Sequence, residues 1–142
     1  MPARSANHVG QPKPVDEKLT INMGCVDLGQ IDLLVQEGFY ANRTDLIRTA
    51  VRNHLATHQE VVRQVVKRKT LTLGIQHFSA ADLKAAKAAG QMLSIKVLGL
   101  ASIGADVTPA LALATIESIT VLGALHASPA VKAALRERTA GA

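Results

Sequence analysis

Tryptophan is absent, and aromatic residues make up 2% of the 142-residue chain. Any core must therefore be aliphatic, built from Leu, Val, Ile and Ala. A single cysteine, Cys25, excludes an intrachain disulfide framework and fits a reducing compartment. The N-terminus lacks the apolar h-region of a signal peptide. The longest apolar stretch, 97–116, is interrupted by Ser102, Gly104, Asp106, Thr108 and Pro109, which makes a poor membrane span. There is no Gly-rich phosphate loop, no HxH or HExxH, and no nucleophile–base–acid constellation. His54 and His58 stand four apart on one helix face, half a metal site at most, and read better as interface or surface histidines. Cys25 reads as a small packed residue rather than a nucleophile. The expectation is a cytoplasmic protein that is not an enzyme, with no cofactor and no metal.

What is present is apolar and basic. Apolar residues are 48% of the chain, too many for global disorder. The net charge is +5, compatible with a polyanionic partner but not proof of one. The excess is spread along the chain: residues 1–70 hold ten Lys/Arg against seven Asp/Glu, and residues 71–142 hold six against four. Residues 1–16 carry three Pro and few apolar residues, and read as a flexible arm. Arg4 and Lys13 there could meet phosphates, although a plain tail is the preferred reading.

"KLTINM" (18–23) alternates polar and apolar. As a strand it puts Lys18, Thr20 and Asn22 on one face and Leu19, Ile21 and Met23 on the other. Asp27 with Gln30 three residues on suggests a capped helix start, Leu28, Ile31, Leu34 and Val35 follow at helical spacing, and Gly38 is placed as the stop. Asn42 then caps a second helix with Asp45 in its first turn. Leu46, Ile47, Ala50, Val51, His54 and Leu55 form its apolar stripe. Nothing breaks the pattern before Lys69, so one helix of about 26 residues ending at Arg68, about 39 Å long, is expected.

Residues 70–142 differ in texture. "SAAD" (79–82) opens a helix closed by Gly90, and Ser128 with Pro129 opens another. Between them "LSIKVLGLASI" (93–103), "LALATI" (111–116) and "SITVLGAL" (118–125) read as short β runs. "TLTLG" (70–74), "IKVLG" (95–99) and "ITVLG" (119–123) recur at spacings of 25 and 24, the mark of stacked units with a strand and then Gly at an equivalent bend. The alternative is an ordinary small α+β domain.

A strand and two helices in about 40 residues cannot bury a core alone. Two copies can. Paired antiparallel, the two strands cover the four helices with Leu19, Ile21 and Met23, while Leu46, Ile47 and Val51 complete a shared dimer core. The outer ribbon then carries Lys18, Thr20 and Asn22 twice, and a two-stranded ribbon fits the major groove of DNA.

These residues, followed by "GFYANRTDLIRTAVRNHL" (38–55), resemble the ribbon-helix-helix repressors, including Arc and the CopG-type regulators. The turn carries the closest likeness: Gly38, Phe39, Asn42, Arg43, Thr44, Asp45, Leu46, Ile47 and Arg48. The likeness covers roughly residues 17–56. It implies base contacts by Lys18, Thr20 and Asn22, and phosphate contacts by Asn42, Arg43 and Thr44, where a helix N-terminus favours an anion. Gly24-Cys25-Val26 departs from the pattern, and residues 57–142 match no known partner domain.

The expected organisation is α+β: an arm at 1–16, a β-α-α ribbon-helix-helix domain at 17–69 forming an intertwined dimer, and a small α/β assembly domain at 70–142 with possible short β repeats. The expected function is a sequence-specific DNA-binding regulator, a repressor, cytoplasmic and nucleoid-associated. Its partners are double-stranded DNA and further copies of itself, not a membrane. The alternatives are an antitoxin that covers a toxin, and a DNA-tethered structural polymer.

Overall fold

The computed structural model describes residues 16–140. The arm's Arg4 and Lys13 lie outside the described residues. Three helices come first: α1 (Cys25–Gln36), α2 (Arg43–Thr57) and α3 (Gln59–Lys69). The rest alternates strand and helix: β1 (Thr72–Phe78), α4 (Ala80–Ala88), β2 (Leu93–Ile103), α5 (Pro109–Thr115), β3 (Ile116–His126), α6 (Pro129–Ala134), a 3₁₀ turn at Arg136–Arg138, and β4 (Thr139–Ala140).

Local chemistry explains the first half, with three corrections. Helix α1 begins two residues before Asp27: Gly24 is its N-cap with no side-chain cap, and Asp27 falls in the first turn. Extended Gly24 (φ −61°, ψ 146°) lets Cys25 and Val26 join the helix, and Asp27 acts there through the positive dipole end. The long helix ending at Arg68 is instead two helices broken at His58 (φ −105°, ψ 9°). There the Thr57 hydroxyl donates to the His54 carbonyl at 2.6 Å, a local bond that competes with the helix ladder. The expected strand at 18–23 is neither helix nor strand in the single chain. A strand exists only against a partner, and none of the described strands pairs with this segment.

Gly38 (φ +82°) ends α1 as expected, with the Phe39 N–H reaching back to the Leu34 carbonyl at 3.0 Å. Asn42 caps α2, accepting the Asp45 N–H at 2.8 Å. This half has almost no interior of its own. Ile31 is its buried apolar residue, while Leu19, Ile21, Met23, Val26, Phe39, Val51 and Leu55 are exposed.

The second half holds the core. The four strands form one parallel sheet in the order β1-β2-β3-β4. Each crossover carries a helix, and α4, α5 and α6 supply Ala80, Leu83, Ala112 and Val131, with Leu135 just after α6, to one cluster with Ile95, Val97, Ile119 and Val121. The result is a two-layer stack, helices on one face of the sheet. Capping starts each helix. Ser79 and Asp82 form a reciprocal box, and Thr108 and Ser128 each accept an N–H three residues on, with Pro opening α5 and α6. Thr108-Pro109 accounts for a fourth correction: "LALATI" is mostly helix α5, and β3 begins only at Ile116.

The spacings of 25 and 24 are the register of the sheet. Gly74 pairs with Gly99 and Gly99 with Gly123. These glycines lie within the strands, not after them. All three have positive φ (+125°, +137°, +119°). Neighbouring backbones touch there: a Cβ on Gly99 would stand 2.2 Å from the Gly74 carbonyl oxygen, and one on Gly123 would stand 2.0 Å from that of Gly99. Only glycine fits at those two rungs.

Gly74 faces open space, so its substitution meets backbone strain alone. Gly74→Ala should cost about 1–3 kcal/mol. Gly99→Ala and Gly123→Ala should each cost on the order of 4 kcal/mol or more. Denaturant titration checks the order, and equal costs at the three positions would contradict the ladder.

Candidate nucleic-acid interface

The predicted base-reading residues Lys18, Thr20 and Asn22 are exposed, and none lies in the core. The apolar partners expected behind them are exposed too: Leu19 by 83%, Ile21 by 55% and Met23 by 41%. The single chain therefore does not sort the two faces of this segment. It does lay the segment along α2. Lys18, Leu19 and Ile21 share an open groove of about 540 Å³ with Thr44, Ile47, Arg48, Val51 and Arg52. Four of the six residues expected in a dimer core (Leu19, Ile21, Ile47 and Val51) thus meet in one place. Met23 and Leu46 lie outside that lining, Leu46 being half-buried.

The start of α2 holds Asn42, Arg43 and Thr44, all exposed. The Asn42 side-chain oxygen Oδ1 accepts the Asp45 N–H, and the Asp45 carboxylate accepts the Ala41 N–H at 3.0 Å. This reciprocal pair fixes the turn between α1 and α2. Arg43 is held as well. Its Nε and one terminal nitrogen donate to the two carboxylate oxygens of Asp32 at 2.7 and 2.8 Å. The hydrogen bonds from Arg43 hold the Asp32 carboxyl below its usual range, its charge adds to that, and partial desolvation opposes it. The Arg43 guanidinium is correspondingly raised, first by the same bonds. The fork ties α1 to the first residue of α2, and a phosphate would compete with Asp32 for the same donors.

Asp32 carried no signal in the sequence. It sits eleven residues from Arg43 on a different helix, so no i,i+4 rule applies. Another unforeseen contact joins the two halves of the chain. Glu17, next to the 18–23 segment, accepts a hydrogen bond from His126 at the end of β3 at 2.6 Å. His54 and His58 stack edge to face, centroids 5.2 Å apart. Among the described residues no three His, Cys, Asp or Glu side chains converge as a metal would require. No helix among them is long and apolar enough to cross a membrane.

Compared with known proteins, residues 14–132 match a family described as the Ribbon-Helix-Helix transcriptional regulator family. No curated protein and no solved structure matches the chain.

The Asp32–Arg43 fork gives a pH prediction. The folded-state pKa of Asp32 is depressed below 3.8, so its contribution is present above that value and is lost as pH falls through the lower folded one. An NMR titration of the Arg43 Nε–H should show a protected proton at pH 5 that is lost on acidification. In Asp32→Asn the fork's Arg43 signal should no longer titrate in that acid window; an unchanged acid titration would remove the fork from the account.

Proposed function

The chain belongs to the ribbon-helix-helix transcriptional regulator family, and on that premise we propose that it is a sequence-specific repressor that reads DNA as an intertwined dimer. The observation that carries this reading is the unfilled core of the first half. Leu19, Ile21 and Val51 line an open groove with Ile47. A second copy fills it when the two 18–23 segments pair antiparallel. That pairing gives each strand its missing partner and turns Lys18, Thr20 and Asn22 outward in a ribbon of major-groove width. Lys donates to guanine acceptors, Asn pairs with adenine, and Thr offers a hydroxyl or a methyl. The α2 start, with Asn42, Arg43 and Thr44, sets the register on the phosphates. Arg43 does so through donors not held by Asp32, or by exchanging partners.

The second half acts as the assembly module. Leu73 and Ile75 of edge strand β1 are 69% and 63% exposed, and among the described residues that strand's outer edge is unpaired. Joining dimers through this surface raises effective concentration on adjacent sites without any new DNA contact. The same free edge favours a second reading, a DNA-tethered polymer, which requires filaments in negative stain without DNA. An antitoxin tail is a weaker reading, because such tails order only on binding whereas residues 70–140 carry a packed core.

Asn22→Ala should relax base preference at one position at a cost of about 1–3 kcal/mol. Arg43→Ala should weaken all sequences alike and reduce the salt slope by about one per phosphate lost. Quantitative footprinting on the protein's own upstream region checks both. Unchanged specificity in Asn22→Ala means the ribbon is not the reader. Light scattering tests assembly: a chain ending after Lys69 should run as a dimer and the full chain as a larger species, and equal sizes would refute the module's role.

A further inference from the structure

The sheet brings three polar residues into one row. His77 pairs in register with Ser102, and Ser102 with His126. The row lies near the carboxyl ends of three parallel strands. It borders a cavity of about 510 Å³ whose lining includes Ile75, Leu100 and Gly104 beside His77, Ser102 and His126. That volume suits a small molecule, and the lining has the usual mix of apolar wall and a few convergent polar groups. His77 Nδ1 and Ser102 Oγ lie 3.2 Å apart.

One carboxylate already touches this row, and it comes from the chain itself. Oε1 of Glu17 lies 2.6 Å from Nε2 of His126. A carboxylate only accepts, so that nitrogen carries the proton. The two residues are 109 positions apart, and Glu17 is 60% exposed at its side chain while His126 is 17% exposed. The more enclosed partner is the sheet histidine, and the exposed one is Glu17. Arg48 lines the adjoining cavity with Glu17, Leu73, Ile75 and Leu100, so a cationic side chain stands near the same carboxylate position.

We propose that the His77–Ser102–His126 row is a binding site for a small carboxylate with an aliphatic body, which displaces Glu17 from His126. The ligand carboxylate takes the Nε2–H of His126. Ser102 or His77 meets a second polar atom, and Ile75 and Leu100 cover the aliphatic part. Displacement frees residue 17, the neighbour of Lys18, so occupancy of the sheet is felt by the 18–23 segment. The site stands on the sheet's own geometry, and its test needs no DNA.

The probe is hexanoate, with hexanamide as the uncharged control, titrated into the full chain and followed by NMR of the histidine rings and the Glu17 amide. Hexanoate should give saturable shifts at His77, His126 and Glu17, and hexanamide should bind at least tenfold more weakly. Glu17→Ala removes the internal competitor and should tighten hexanoate by about tenfold, the factor expected if Glu17 holds the site roughly nine-tenths of the time. His126→Leu removes the N–H donor and should abolish binding while the remaining amide spectrum stays dispersed. Equal binding of acid and amide, no saturable shift at these residues, or unchanged affinity in Glu17→Ala would each overturn the proposal. Because Glu17→Ala alters an exposed side chain, it decides the matter even if His126→Leu does not fold.

Discussion

Half of this molecule lacks an interior. From residue 16 to Lys69 the described chain contains one buried apolar side chain, Ile31, and leaves Leu19, Ile21, Met23, Val51 and Leu55 in water. Removing apolar surface from water contributes about 25 cal/mol per Å², and a segment that leaves so much exposed cannot repay the entropy of ordering its own backbone. The second half has no such shortage: Leu83, Val97, Ile116, Ile119, Val131 and Leu135 are fully buried. The asymmetry divides the labour. The sheet and its helices hold a packed core of their own, whereas under the proposed function the first half is completed by another copy. On that proposal DNA recognition follows from the completion, because the surface offered to the groove forms only when two segments pair.

Parts of this were legible in the sequence because they depend on neighbours along the chain. The stops at Gly38 and Gly90 and the caps at Asn42, Ser79 and Ser128 are local chemistry, and the structure has them where the residue types put them. The repeat was legible as spacing, yet its cause was not. Gly99 and Gly123 are required because each faces a carbonyl oxygen of the adjacent strand, and strand adjacency is a fact of topology. "LALATI" is ambiguous in the sequence. Its apolar run fits a buried strand or a short helix equally well, and the Thr108 cap with Pro109 decides for the helix.

Contacts between distant segments were illegible. Asp32 and Arg43 meet across a helix turn, and Glu17 meets His126 across the whole chain. Neither pair sits at a spacing that any local rule recognises. The candidate reading residues were legible only as a pattern plus a resemblance. Lys18, Thr20 and Asn22 alternate correctly for one strand face, but alternation does not say which face meets DNA, and a single chain does not bury the other.

The central claim is therefore about pairing between copies. Its most direct measurement is an isotope-filtered NMR experiment on a mixture of labelled and unlabelled full-length chains. The account predicts antiparallel contacts between the backbones of residues 18–23 of the two copies, with Leu19 and Ile21 of each near Ile47 and Val51. A chain that sediments as a monomer at micromolar concentration, or a dimer lacking those contacts, would contradict it.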